Sequence, residues 1–209
     1  MLKDYKNQLE NFLKNKIYMI CLIAIAILAY GFSATNITVG IDDLESGRYI
    51  GEQNELLAAG RFAWLFWTKI FGIKNQYVEN NFVFEAAGVI LFMWAAINIC
   101  ILFKKATMDK ISVSAYMVFS CMLISYPLMN EIWEYTGANA CICGAFLLVS
   151  VSLLIIHSFI HSEKKLKNWL SLGLTAPMMT LVCAGYESVV SVYIFFVFAI
   201  LALQLIYGE

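Results

Sequence analysis

Six long stretches of this chain carry no charged side chain, and they limit what it can fold into more than any other feature. No Asp, Glu, Lys or Arg occurs between Lys16 and Asp42, Glu85 and Lys104, Lys110 and Glu131, Glu134 and Glu163, Lys167 and Glu187, or Glu187 and Glu209. A helix rises about 1.5 Å per residue, so crossing a hydrocarbon layer of about 30 Å takes about 20 apolar residues. Each stretch is that long or nearly so. The runs are continuously apolar instead of alternating, which favours helices over a barrel. The expected fold class is therefore all-α and integral to the membrane, with about six transmembrane helices at roughly 17–34, 86–103, 111–129, 137–160, 168–185 and 189–207. Composition agrees: 61% of residues are hydrophobic and 14% charged, against roughly 25% charged in soluble domains. One polytopic domain, 1–209, is the economical count.

Lysines set the expected orientation. Lys3, Lys6, Lys14 and Lys16 precede the first span, Lys104, Lys105 and Lys110 follow the second, and Lys164, Lys165 and Lys167 follow the fourth. The positive-inside rule makes those segments cytoplasmic, and six spans then leave both ends in the cytoplasm. The opposite-side segments hold Asp42, Asp43, Glu45, Glu52, Glu55, Glu79, Glu85, Glu131, Glu134 and Glu187 against Arg48, Arg61, Lys69 and Lys74. The net charge of -1 thus conceals two oppositely charged faces. An acidic outer face argues against nucleic acid as a partner and leaves the lipid bilayer as the obligate one. The first span reads as a retained anchor, because its apolar run is long and no small-x-small cleavage site follows.

Residues 1–16 form a short cytoplasmic lead, with Leu2, Tyr5, Leu9, Phe12 and Leu13 at helical spacing. The largest non-spanning piece is the first outer loop, 35–84. Its first part is polar and acidic, with Gly40, Gly47 and Gly51 as turn points. Its second part, about 54–71, carries Leu56, Leu57, Phe62, Trp64, Leu65, Phe66, Trp67, Ile70 and Phe71. That run is too short to cross a bilayer and rich in the aromatics that settle at the water–lipid boundary, so a helix lying along the outer surface is expected. Pro177 should kink the fifth span. Two later outer turns also place acids beside aromatics: Glu131 and Glu134 with Trp133, and Glu187 with Tyr186. His157 and His161 read as interfacial. The six cysteines fall in or at the edges of spans, where cysteine acts as a small apolar residue, and none has metal-ligand spacing.

The acidic corner is the candidate site. Transfer of a sugar from a lipid phosphate needs a carboxylate to take the proton of the attacking hydroxyl. It also needs positive charge on the departing phosphate, for which Arg is well shaped. Asp42, Asp43, Arg48 and Arg61, beside an aromatic helix, supply these types within a short stretch. Adjacent carboxylates repel when both are ionised, which raises the proton affinity of one and suits it to act as a base. The plain alternative is that outer-loop acids are solvated groups enforcing topology and that the arginines anchor to headgroup phosphates.

The uncharged first span followed by Gly40-Ile-Asp-Asp-Leu-Glu45, and then Gly60-Arg61 opening an aromatic run, resembles the serotype-converting O-antigen glucosyltransferases of bacteria and their phages, in the GT-C superfamily. Tyr126-Pro127 ahead of Glu131-Ile-Trp-Glu134, and Gly185-Tyr-Glu-Ser188, add to the likeness. The resemblance implies a GT-C-like fold in the bacterial inner membrane, its active face extracytoplasmic. It also implies a polyprenyl-phosphate-linked sugar, such as glucose, as donor and a cell-surface polysaccharide as acceptor. The first-loop acid of that superfamily is a general base, a role carried here onto Asp42 or Asp43: Asp42 as base with Asp43 assisting, or the reverse order. Arg61 matches the Gly-Arg position and is the candidate for the donor phosphate. Glu45, Arg48, Glu131, Glu134, Tyr186 and Glu187 are the further candidates for substrate binding. No cofactor and no metal are implied. Members of the family are longer, which implies that this chain corresponds to their N-terminal part, to a natural short form or to half of a split enzyme. The rival reading is a non-catalytic membrane protein, such as a lipid-linked sugar flippase subunit, a small transporter or an assembly partner. Ion-coupled transport predicts ionisable residues near the middle of spans, and the span centres contain none.

Overall fold

The computed structural model describes residues 2–35, 81–126, 139–161 and 171–207, together with Phe62, Ala63, Phe66, Met129 and Trp169. All regular structure among them is helical: α1 (Leu2–Lys14), α2 (Lys16–Thr35), α3 (Asn81–Ala106), α4 (Val113–Ile124), α5 (Asn139–Ile160), α6 (Thr175–Gly185) and α7 (Val189–Tyr207). Four of these, α2, α3, α5 and α7, are long and apolar enough to cross a membrane, while α4 and α6 are shorter apolar helices. The chain is thus a membrane-associated, multi-pass helical protein.

The centre of the bundle is α3 packed on α5, its most extensive helix–helix contact. Glu85 meets Asn139, Phe92 meets Phe146 edge-on at 5.2 Å, and Asn98 meets Ser150, so the two helices run parallel. Lipid tails are as apolar as leucine, so helices in a bilayer associate through close packing and interhelical hydrogen bonds. The seam has both. Gly88, Ala95, Ala96, Ala140, Cys141, Cys143, Gly144, Ala145, Ser150 and Ser152 are buried small residues. A Cβ built on Gly88 would stand 3.3 Å from the backbone nitrogen of Ala140, so the helices touch there main chain to main chain. Gly88→Ala should therefore lower stability by about 1 kcal/mol net, overpacking outweighing the gain in helix propensity. Gly173→Ala, with no atom within 4 Å of the added carbon, should be neutral or stabilising. Unfolding midpoints of the two variants in detergent provide the check.

Around this pair, α2 and α4 pack on one another and on α3, α6 packs on α5, and α7 packs on both central helices. The outer helices turn apolar side chains outward: Leu28 of α2 and Leu205 of α7 are 81% and 84% exposed. Such surfaces suit acyl chains and not water. Contacts at the helix ends define two poles. Lys105 pairs with Asp4, Lys110 Nζ donates to the carbonyl of Tyr207, and Gln204 meets His157, making a lysine end. At the other pole Glu85 meets Asn139, Gly185 lies against Cys141, and the Tyr30 hydroxyl donates to the carbonyl of Ile124, making a glutamate end.

Several boundaries differ from those expected. The second span begins not at 86 but at Asn81, which draws Glu85 into the helix. The third covers Val113–Ile124 and not 111–129; Ser125 caps it ahead of Pro127, and a residue preceding proline is pushed out of the helical region. In the fifth span, the helical turn at 171–173 is interrupted at Leu174, three residues before Pro177. Proline has no N–H for the carbonyl of Gly173, and the ring crowds that turn. The expected surface helix at 54–71 lies outside the described residues apart from Phe62, Ala63 and Phe66, which are helical.

At the lysine end, α3 stops in a Schellman turn: the Asp109 N–H donates to Lys104 O at 3.0 Å and the Met108 N–H to Lys105 O at 3.3 Å. Met108 occupies the left-handed position at φ 50°, where a side chain is strained. Met108→Gly should stabilise the protein by about 1 kcal/mol, read as a raised unfolding temperature.

The lead helix α1 is an integral part of the bundle. The Tyr5 hydroxyl donates to Asn98 Oδ1 at 2.9 Å and accepts from Trp94 Nε1 at 3.1 Å, while Asn98 Nδ2 donates to Ser150 Oγ at 3.0 Å. A continuous polar chain thus joins α1, α3 and α5. Phe12 seals the other end of α1 against Tyr18 and Tyr116, whereas Leu13, expected on the same face, is exposed. On its outer side Lys14 donates to Glu10 at 2.9 Å and holds that carboxyl below its usual range.

Candidate functional site at the glutamate end

The glutamate end brings Ala63 of the first loop to the residue that precedes the Tyr186–Glu187 turn. Ala63, from the first loop, is fully buried, and a Cβ on Gly185 would lie 3.7 Å from its methyl and 3.3 Å from Cys141 Sγ. One residue of the aromatic run therefore sits where α6 ends and α5 begins. Gly185 leads directly into Tyr186 and Glu187. Tyr186 is half-buried and caps α6, its N–H donating to the carbonyl of Val182 at 3.0 Å. Glu187 is exposed, and its carbonyl accepts the N–H of Val190 at 3.0 Å in the first turn of α7. A carboxylate there also complements the positive end of the α7 dipole.

The other candidates, Asp42, Asp43, Glu45, Arg48, Arg61, Glu131 and Glu134, lie outside the described residues. Of the proposed set, the structure places Tyr186 and Glu187, which follow directly on Gly185, the residue that lies against the first-loop Ala63.

Glu85 was missed. Counted from sequence among the acids of the outer loop, it is instead 2% exposed, within the second turn of α3 and facing α5. Asn139, the first residue of α5 and fully buried, donates Nδ2 to both carboxylate oxygens at 2.6 Å. Bonds of a charged acceptor are the strong class, and they weigh most where water is excluded. Cys143, one turn further along α5, lies within electrostatic reach of the same carboxylate. The Asn139 Oδ1 atom is buried without a hydrogen-bond partner, an acceptor left unused at the centre of this end. A signal for Glu85 exists in the sequence. With Gly88, Phe92, Ala95, Ala96 and Ile99 it completes one helical stripe, and every member of that stripe is buried.

In chemical terms this end offers a fixed, water-excluded carboxylate, an unused amide oxygen, a half-buried tyrosine and an exposed glutamate. Glu85 and Asn139 are enclosed, so the groups open to a polar, hydroxyl-rich ligand are the Tyr186 side chain and the Glu187 carboxylate. Among the described residues no three His, Cys, Asp or Glu side chains are grouped to hold a metal ion. All six cysteines are free thiols. The chain matches no protein-family model, no curated protein and no solved structure.

Proposed function

We propose that the chain acts as a membrane glycosyltransferase that moves glucose, or a related sugar, from a polyprenyl-phosphate carrier to a cell-surface polysaccharide of the O-antigen kind. In this reading Asp42 is the general base, Asp43 assists it, and Arg61 and Arg48 hold the departing phosphate. Glu45, Glu131, Glu134, Tyr186 and Glu187 contact the sugars. Six crossings in a GT-C-like arrangement, an inner-membrane location, an extracytoplasmic site and two cytoplasmic ends belong to the same reading. Metal is not required by it.

The observation that carries this reading is the meeting of Ala63, Gly185 and Cys141 at the pole opposite the lysines. It supports the reading because a first-loop residue, Ala63, packs where α6 ends and α5 begins, against Gly185 and so one residue before Tyr186. Lipid-facing flanks on α2 and α7 are a suitable approach for a prenyl tail. The test supplies radiolabelled polyprenyl-phosphate glucose to membranes with and without the chain. Label appearing in polysaccharide only when the chain is present supports the reading; equal incorporation in both sinks it.

One observation favours a second reading, translocation of the lipid-linked sugar. Glu85 is an ionisable group inside the bundle, and such groups mark substrate or proton paths in transporters. Its place near the start of α3 and not at mid-span weighs against a path through the middle of the bilayer, so we keep transfer as the first proposal. Carrier crossing the bilayer without any transfer of label would reverse that preference.

A further inference from the structure

At the lysine end, side chains from α5 and α7 meet in an arrangement that the transferase reading does not use. His157 and His161 lie one turn apart, their rings stacked with centroids 4.3 Å apart and planes inclined by 23°. The side-chain nitrogen of Gln204, near the end of α7, lies 3.4 Å from His157 Nε2 and 3.5 Å from His161 Nε2. Both imidazoles thus direct the same ring nitrogen at one point.

The tautomer of His161 follows from its partner. His161 Nδ1 is 2.9 Å from the backbone carbonyl of His157, and a carbonyl only accepts, so Nδ1 carries the proton and Nε2 keeps its lone pair. For His161, whose Nε2 thereby keeps its lone pair, the Gln204 N–H is the matching donor, and His157 turns its own Nε2 to the same amide. A histidine anchored through one nitrogen to a carbonyl, with the other nitrogen free, is the form in which imidazole binds metal.

We propose that His157, His161 and Gln204 form a site for a divalent transition-metal ion of the zinc and copper class, bridging α5 and α7. The ion takes the position now held by the amide nitrogen, while the Gln204 side chain withdraws by about 2 Å and turns its carboxamide so that Oε1 becomes the third donor. Metal–imidazole bonds are about 2.0–2.1 Å, so each ring advances by roughly 1.4 Å. Water completes the coordination, because His161 is exposed at the end of the bundle. Lys105, whose charge acts on His157, is paired with Asp4 at 2.7 Å, which offsets its repulsion of a cation. Nitrogen ligands select against Mg2+ and Ca2+, which take oxygen.

The test titrates the full chain, purified in detergent without an affinity tag, with Cu2+, Zn2+ and Mg2+. One saturable ion per chain is expected for Cu2+ and Zn2+, Cu2+ the tighter, and none for Mg2+. Bound Cu2+ should show nitrogen hyperfine coupling, and Zn2+ should raise the unfolding temperature by tying the two helices together. His161→Ala, at an exposed position, should abolish both effects while leaving the metal-free unfolding temperature unchanged. Gln204→Leu should weaken binding without abolishing it. Absence of saturable binding to the unaltered chain, or equal binding by the His157→Ala/His161→Ala double variant, overturns the proposal. Neither result bears on sugar transfer, so the two readings fail separately.

Discussion

Asp42→Asn is expected to slow sugar transfer by about 10²–10⁴-fold, the range lost when a positioned general base is removed. An amide has nearly the same shape as a carboxylate but cannot accept the proton of the acceptor hydroxyl at neutral pH. Binding of the lipid-linked donor should be little altered, so the loss should fall on turnover and not on the donor concentration needed for half-maximal rate. Asp43→Asn should cost less if Asp43 only assists, and the order of the two effects identifies the base. The measurement is release of labelled sugar from polyprenyl phosphate into polysaccharide at matched protein levels. Full activity in both variants would remove the first loop from the chemistry.

Glu85→Leu is expected to destabilise the bundle by about 2–3 kcal/mol, the cost of losing a charge-assisted hydrogen bond and leaving a buried donor unsatisfied. The effect runs through Asn139, whose Nδ2 gives both of its 2.6 Å contacts to this carboxylate. Glu85→Gln retains an oxygen for that amide and should cost less. Glu85→Leu combined with Asn139→Leu should regain part of the loss, because removing both partners of a buried pair is milder than removing one. Unfolding midpoints of the three variants in detergent decide it. Equal loss in the Glu85→Leu and double variants would mean that leaving the Asn139 amide unpaired costs nothing.

The two predictions concern residues that differ in how far sequence could describe them. Asp42 and Asp43 stand out because they are adjacent, acidic and just past an apolar run, features visible along the chain. Glu85 did not stand out, because an acid at the edge of an apolar run reads equally well as the last residue of a loop. Only the phase of the helix separates the two cases, and that phase becomes visible once Gly88 and Phe92 are seen facing Ala140 and Phe146. The lead helix presents the same problem. Its amphipathic spacing was legible, but the hydrogen bonds from Tyr5 to Asn98 and from Trp94 to Tyr5 span 93 and 89 residues. No local pattern encodes them.

By itself the sequence determined the helical character of the described chain and the apolar runs long enough to cross a membrane. Both follow from local composition: a run of apolar residues has to satisfy its own backbone hydrogen bonds in lipid, and a helix does so within the run. The tertiary structure alone decided which helices are central, that α3 and α5 lie parallel, and that Glu85 faces inward and not toward water. Those outcomes depend on which small residues let two backbones approach, and on which distant polar groups find each other. They are set by pairs of residues and not by either member alone.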